Sequence, residues 1–375
     1  MEKKFRPLVK WTGGKFDEFA LFSSQIPAFS RYIEPFFGGG GVFFALKPKV
    51  PALLNDKSTD LINFYGQVSN EAFKNELFKY ADAWDDIGRL THILWQSCGK
   101  LFVDFIQLDI SIEQLKDGAK LYLSSFLTRK STLTDPDFII DPILSFDMLL
   151  ASIADKAKRI KRISPKESRA FTEVELFSHF ETGIRSGVYL FFRKLLNQHY
   201  LGDIELNPSK AAANWYFVRE FCYASMFRFN ARGEFNIPYG GIAYNKKRFK
   251  EKVERIFAEE VVNLFKNATL SNEDFETFLT EVKPVADDFI FLDPPYDSEF
   301  SEYDQSAFNQ ADQARLATFL RSTPAKWMVV IKETPFIRKL YTQAGIKIAT
   351  FEKKYAYNVR GRNNRGVTHL IITNF

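Results

Sequence analysis

Residues Phe289-Ile290-Phe291-Leu292 run straight into Asp293-Pro294-Pro295-Tyr296, and this junction constrains the fold more than any other stretch of the chain. Four consecutive apolar residues read as a strand buried on both faces, the kind that parallel sheets contain. A double proline cannot continue that strand, because it lacks N–H donors. Nor can it start a helix at once, because the residue before each proline is held extended. Asp293 and Tyr296 are therefore presented from a strand end, where open α/β sheets hold their ligands. A carboxylate, a stiff turn with two carbonyls and an aromatic face suit a flat aromatic amine. A capping Asp beside a packing Tyr would explain the same residues, so other motifs must decide.

The chain has 375 residues, enough for one large α/β core and a second module. Hydrophobic residues make up 46% and charged residues 26%, the proportions of an ordinary soluble globular protein. A net charge of +5 permits nucleic-acid binding without demonstrating it. The cysteines, Cys98 and Cys222, imply no disulfide framework and suit a reducing compartment. His92, His179, His199 and His369 are scattered without metal-ligand spacing, so no metal is expected. Neither an apolar signal core nor a run of about 18 apolar residues is present, and the expected location is cytoplasmic.

Two stretches alternate strand and helix. The first, over 5–68, predicts strands at 31–36 and 51–55, a Gly-rich turn at 37–41, and a helix over 59–68 that Ser58 caps. The second, over 268–375, predicts strands at 289–292, 327–331, 346–351 and 368–373, with helices over 311–320 and 335–344. Strands spaced by helices argue for a parallel sheet with an open edge. Between 69 and 267 the pattern turns helical, as over 173–197 and 211–226. The exception is 228–239, where Asn230-Ala231-Arg232-Gly233 and Pro238-Tyr239-Gly240-Gly241 predict a hairpin or extended loop. The simplest architecture is one α/β domain, 1–68 with 268–375, interrupted by a mostly helical insert over 69–267.

Lys10-Trp11-Thr12-Gly13-Gly14-Lys15 precedes the first strand. Its glycines let backbone approach a ligand, Trp11 offers a flat apolar wall, and Lys15 a positive charge for a carboxylate. A core Trp beside a Gly turn and a solvated Lys would look the same. Glu34-Pro35-Phe36-Phe37-Gly38-Gly39-Gly40-Gly41 follows a strand and opens a helix, as a nucleotide-type site requires, yet departs from G-x-G-x-x-G. A carboxylate at the entrance is unsuited to phosphate, so Glu34 points to a cationic or hydroxyl-bearing ligand. Four consecutive glycines cost folding entropy without an evident structural return. Asp56, after the next strand, is placed to accept from a ribose diol, or to cap the following helix in competition with Ser58. Ribose recognition, a positive centre among carboxylates and an amino-acid carboxylate near Lys15 together describe S-adenosyl-L-methionine. NAD would need a pyrophosphate seat that is not evident.

In this order the motifs resemble the DNA adenine methylase family (the Dam-like, D12 class) in its α arrangement, with target recognition between the cofactor and catalytic halves. Arg228-Phe229-Asn230-Ala231-Arg232-Gly233-Glu234-Phe235-Asn236-Ile237-Pro238-Tyr239-Gly240 is also similar to that family's Arg-Tyr-Asn-x-x-Gly-x-Phe-Asn-Val-Pro-Phe-Gly hairpin. The resemblance covers residues 1–68 and 211–375 and leaves 69–210 unassigned. It implies a Rossmann-like S-adenosylmethionine-dependent methyltransferase sheet with a mostly helical inserted target-recognition domain. The implied cofactor contacts are Trp11, Lys15, Asp56 and Asp293, and Glu34, Phe36, Gly38 and Gly40 of the glycine motif are expected to join them. The family's base-pair-separating Tyr falls on Tyr223, its guanine-reading Arg on Arg228, its groove-contacting Pro on Pro238, and Met226 joins them as a DNA contact. A core Tyr223 and a phosphate-bound Arg228 would be the plainer alternative. Ala224 stands at a family Asn, Met226 at a Leu and Gly241 at an Arg, departures that put the usual GATC target in doubt but leave the reaction untouched.

The implied reaction moves a methyl group from S-adenosyl-L-methionine to N6 of a flipped-out adenine in duplex DNA. The N6 lone pair is delocalised into the ring, so Asp293 and the carbonyl of Pro294 would bind its hydrogens and draw it toward a nucleophilic state. Tyr296 would stack on the base, which leaves the helix at a cost of roughly a few kcal/mol. Attack on the methyl then needs positioning and electrostatics, without metal or covalent intermediate. Neither Cys98 nor Cys222 lies in a Pro-Cys turn after a strand. The rivals are the same chemistry on cytosine N4 or on RNA, and an inactive DNA-binding homologue. Asp at the head of the tetrapeptide, and intact Lys15, Asp56, Asp293 and Tyr296, weigh against them. The expected partners are double-stranded DNA, bound by a monomer, and a cognate restriction endonuclease, with no membrane. Lys353, Lys354, Arg360, Arg362 and Arg365 form a basic loop that would hold phosphates or simply be solvated.

Overall fold

The structure, a computed structural model, describes residues 5–108, 110–127, 131–166, 170–296, 308–353 and 367–375. Contacts divide it into two compact units, Met1–Val68 with Ala258–Phe375, and Ser69–Phe257. The second crossing lies ten residues before the expected one, because Phe265 packs against Phe37, Phe43, Phe44 and Tyr65 of the first unit.

The first unit is built on a seven-stranded sheet. Its strands are β1 (Arg31–Glu34), β2 (Ala52–Asn55), β3 (Ala268–Ser271), β4 (Asp288–Leu292), β5 (Lys326–Lys332), β6 (Lys347–Lys353) and β7 (Val367–Thr373), in the order β3-β2-β1-β4-β5-β7-β6. The first five of that order are parallel, and β7 runs antiparallel between β5 and β6. Consecutive β6 and β7 can pair directly because antiparallel neighbours need no crossover helix, a departure from an all-parallel sheet. β1 stops at Glu34 where Pro35 removes a donor, two residues short of the expected end. β3 escapes the sequence pattern: it is an edge strand, half-buried, with Leu270 its single large apolar residue.

β4 is buried throughout, as its apolar run predicts. One face joins a core with Ile33, Ile290, Leu292, Trp327 and Leu316, and on another face Phe291 stacks on Phe22 at 5.7 Å. At the amino ends of β1 and β4, Arg31 grips Asp288 with Nε at 2.9 Å and an Nη at 2.6 Å. That bidentate pair pins the register Arg31↔Asp288, and with it the alignment of the opposite, carboxyl ends.

The second unit is helical. Its helices include Glu71–Gln107, Ile112–Leu127, Pro142–Ile163, Glu173–Tyr200, Pro208–Phe221 and Phe249–Ile256. Thr172 and Glu175 form a reciprocal capping box that starts Glu173–Tyr200. Tyr80 packs on Phe192 and Phe217, and Trp84 on Phe221, joining the longest helix to its neighbours. The helix expected over 211–226 ends at Phe221, because Cys222 is extended and Ala224 and Ser225 take positive φ. Over 228–239 the chain makes a turn with isolated antiparallel bridges, Phe229↔Phe235 and Cys222↔Tyr239. Asn230 Oδ1 accepts from the Arg232 and Glu234 amides and holds that turn.

Candidate functional site

β2, β1 and β4 are neighbours, and each carries an acid at or just beyond its carboxyl end: Asp56, Glu34 and Asp293. β1 and β4 flank the point where the strand order reverses, the place where open sheets bind ligands. The sheet therefore gathers residues that the sequence scatters.

Lys15 completes the arrangement. Its side chain is fully buried, and its ammonium donates to Asp293 Oδ1 at 2.5 Å, to the Gly13 carbonyl at 2.9 Å and to the Tyr296 hydroxyl at 3.2 Å. An ammonium carries three donors, and these acceptors match them. Its charge is thus directed at Asp293, where a ligand carboxylate was expected. The Tyr296 ring also lies near this cation, 5.4 Å from its centroid. Pro294 is buried, and the Pro295 carbonyl accepts from Gln313 Nε2 at 2.9 Å, which fixes the turn.

Glu34 is buried, and Oε2 accepts from the Tyr32 hydroxyl at 2.9 Å. Burial pushes its carboxyl well above the ordinary range. The Tyr32 bond opposes that shift, and the charges of Asp293 and Asp56 add to it. Asp56 accepts from the Gly38 amide at 2.7 Å and the Ser58 amide at 2.9 Å. Burial raises it too, against the pull of those bonds. Ser58 caps the helix Thr59–Gly66 through the Leu61 amide, so the contest for the cap is resolved and Asp56 serves the glycine turn.

The glycine run has a structural reason that the sequence reading missed. A Cβ on Gly38 would meet Trp11 Cδ1 at 2.9 Å, and one on Gly39 would meet Trp11 Cβ at 2.9 Å. On Gly41 it would press on the Lys15 and Phe16 amides at 3.0 Å. Gly38, Gly39 and Gly41 are stripped of side chains so that the segment carrying Trp11 and Lys15 can lie on them. Gly40, at φ 71°, also turns the chain into the helix Gly41–Leu46. Phe36 packs edge-on against Phe308 and tilted against Phe275, 5.4 Å from each, as part of the core.

Three supporting residues were not singled out from sequence. Asn55 donates to the Pro35 and Glu273 carbonyls and accepts from the Glu273 amide, tying the ends of β1, β2 and β3. A polar residue closing an apolar strand is a signal that could have marked it. Gln313 and His369 carry no local signal. His369 Nε2 lies 3.2 Å from the Tyr296 hydroxyl, 73 residues away in sequence.

In the helical unit Tyr223 is 55% exposed, and Met226, Arg228 and Pro238 are exposed with it. Tyr223 is not a core residue. Its amide donates to the Pro238 carbonyl at 2.8 Å, its carbonyl accepts from the Met226 amide at 3.1 Å, and Arg228 Nε donates to Asn236 Oδ1 at 3.1 Å. Behind them, Asn197 pairs twice with Phe235 while Tyr189 and Arg193 donate to the Ile237 carbonyl. Burial pushes the thiols of Cys98 and Cys222 up to about 11, the wrong direction for a nucleophile. Among the described residues no group of His, Cys, Asp or Glu could hold a metal ion, and no described helix is long and apolar enough to cross a membrane. The basic-loop residues Lys354, Arg360, Arg362 and Arg365, and the side chain of Lys353, lie outside the described residues.

A mostly parallel sheet of this order, with acids gathered at its switch point, defines a Rossmann-like fold. The sequence profile of the D12 class N6 adenine-specific DNA methyltransferases matches residues 11–115 and 143–357, and the chain belongs to that family. Its reaction is methylation of adenine in DNA. Type II methyltransferase M.MjaIII of Methanocaldococcus jannaschii is 25% identical over 389 aligned positions, spanning 99% of each protein. M1.LlaDCHI of Lactococcus lactis subsp. cremoris is 24% identical over 99% of this chain and 95% of its own. M.CviBI of Paramecium bursaria Chlorella virus NC1A is 35% identical, over 44% of this chain and 61% of the viral protein.

Proposed function

We propose that the first unit binds S-adenosyl-L-methionine at the carboxyl ends of β2, β1 and β4, and that Asp293, Pro294 and Tyr296 hold the target adenine. The observation that carries this is Asp293 at the end of β4, locked 2.5 Å from a fully buried Lys15 and beside Tyr296.

The donor set suits the methyl donor. Asp56 is the acceptor for a ribose diol, Trp11 over the glycine turn an apolar wall, and Asp293 the negative charge that a sulfonium and an α-amine favour, with the buried Glu34 carboxyl a hydrogen-bonding neighbour. Phe36, Gly38 and Gly40 shape the floor. Bound there, S-adenosyl-L-methionine supplies an electrophilic methyl group. Lys15 acts through Asp293 rather than through a ligand carboxylate.

Asp293 and the Pro294 carbonyl accept hydrogens of the adenine N6 amine, which localises its lone pair. A carboxylate offers about four lone-pair sites, so pairing with Lys15 leaves it able to accept from the amine. As positive charge grows on N6, the fixed carboxylate stabilises it without reorganising, the usual source of the largest catalytic term. Tyr296 stacks on the base and aligns it. No metal is needed for any of these steps.

DNA is engaged by Tyr223, Met226, Arg228 and Pro238 of the helical unit. Tyr223 fills the gap left by the flipped base, and Arg228 reads a guanine through a bidentate pair. The substrate is duplex DNA and the working form a monomer. The type II names of the relatives make a cognate endonuclease the natural partner. Expression in a methylation-free host followed by sequencing with modified-base detection tests the proposal. N6-methyladenine at one motif is expected, and its absence, or modified cytosine instead, would overturn it.

A further inference from the structure

His369 lies on β7, in register with Lys332 of β5 and Phe351 of β6, and is completely buried. Its ring stacks on Phe351 at 5.3 Å and meets the Tyr296 ring edge-on at 6.0 Å. The polar contacts order themselves. Nδ1 lies 3.2 Å from the Val367 carbonyl, which can only accept, so Nδ1 carries the proton. When the ring is neutral, Nε2 is the acceptor and the Tyr296 hydroxyl at 3.2 Å donates to it. That leaves the phenol oxygen to accept from Lys15, whose ammonium also donates to Asp293. The hydrogen bonds thus run in one direction along two branches, from Lys15 to Asp293, and from Lys15 through Tyr296 to His369.

We propose that His369 is a positioning residue for methyl transfer: by accepting from the Tyr296 hydroxyl it sets the plane in which that ring stacks on the target adenine. The assignment rests on the adenine-stacking role given to Tyr296 above. A ring held only at its Cβ rotates about its side-chain torsions. Anchored at the far end as well, it presents one face, and the same hydroxyl keeps Lys15 aimed at Asp293. Sub-ångström alignment of reacting groups is what such anchoring supplies.

The test is a double-mutant cycle with a spectroscopic arm. His369→Leu should lower kcat about ten-fold, the scale of one lost hydrogen bond to a charged network, with KM for S-adenosyl-L-methionine unchanged. His369→Gln, whose amide oxygen can accept from the hydroxyl, should recover most of that loss. In a Tyr296→Phe background His369→Leu should cost nothing further, because the bond is already gone. Nitrogen-15 spectra of the unmodified protein should show His369 with a protonated Nδ1 and a bare Nε2, and Tyr296→Phe should move the Nε2 signal. Equal losses from His369→Leu in both backgrounds, or a proton on Nε2, would overturn the assignment. If the unmodified protein methylates no DNA, the function proposed above fails, and the nitrogen spectra still decide whether the tether exists.

Discussion

Asp293 and Lys15 cannot be altered independently. Lys15 is fully buried and its carboxylate partner is 17% exposed, so Asp293→Ala leaves a cation in the interior. Loss of one partner of a buried pair costs about 3–5 kcal/mol, and loss of a fixed charge stabiliser about 100- to 1,000-fold in rate. Asp293→Ala should therefore lower both urea-midpoint stability and single-turnover rate, whereas Asp293→Asn, which keeps an acceptor for Lys15, should spare more of the stability than of the rate. Equal stability losses from the two changes would show that the pair does not carry that energy. Glu34 makes a pH prediction. Its folded carboxyl titrates well above the ordinary 4.5, chiefly because of burial, so the folded state holds the proton more tightly than the unfolded chain. Its stabilising contribution is complete below 4.5 and is lost as pH rises through the folded value. Glu34→Gln keeps an oxygen for Tyr32 and should flatten this decline in unfolding free energy as pH rises above 4.5. An unchanged slope would place the decline elsewhere.

At the level of elements, the glycine run shows how a sequence without side chains positions side chains that come from elsewhere. Gly13 and Gly40 both have positive φ, 86° and 71°, yet only Gly40 is crowded, its added Cβ meeting Phe37 Cζ at 2.7 Å. Both alanine substitutions bear the left-handed strain of about 1–2 kcal/mol. Gly40→Ala should cost about a further 1–3 kcal/mol for overpacking. Denaturant melts would separate them, and comparable losses would mean that Phe37 yields without penalty. Asn55 works in the same way across three strand ends.

For the whole molecule, the proposed function requires metal-free cofactor binding and a defined DNA target. Calorimetry in chelator should show S-adenosyl-L-methionine binding, weakened by Asp56→Ala, and binding that disappears with chelator would contradict it. Arg228→Ala should relax preference at one position of the site by about 1–3 kcal/mol. Uniform weakening, with the salt dependence reduced by about one unit, would instead mark a phosphate contact. Ala224 and Gly241 lack the polar side chains of the matching family positions, so the target should differ from GATC. Methylation confined to GATC would refute that.

Local chemistry was legible in the amino-acid order. An apolar run ended by prolines marked β4 and Pro35 marked the end of β1, and Glu34, Asp56 and Asp293 each stood at a strand end. Those signals are short-range, since periodicity and proline sterics act within a few residues. Strand order, the insertion of β7 between β5 and β6, and the half-buried β3 came only with the fold, because pairing depends on neighbours remote in sequence. The same holds at the site. Lys15 meets Asp293 across 278 residues and Tyr296 meets His369 across 73. The sequence by itself determined which groups stand at the strand ends. The tertiary structure decided which of them touch, because a hydrogen bond needs its partners within about 3 Å, and only folding brings residues that far apart in the chain to that distance.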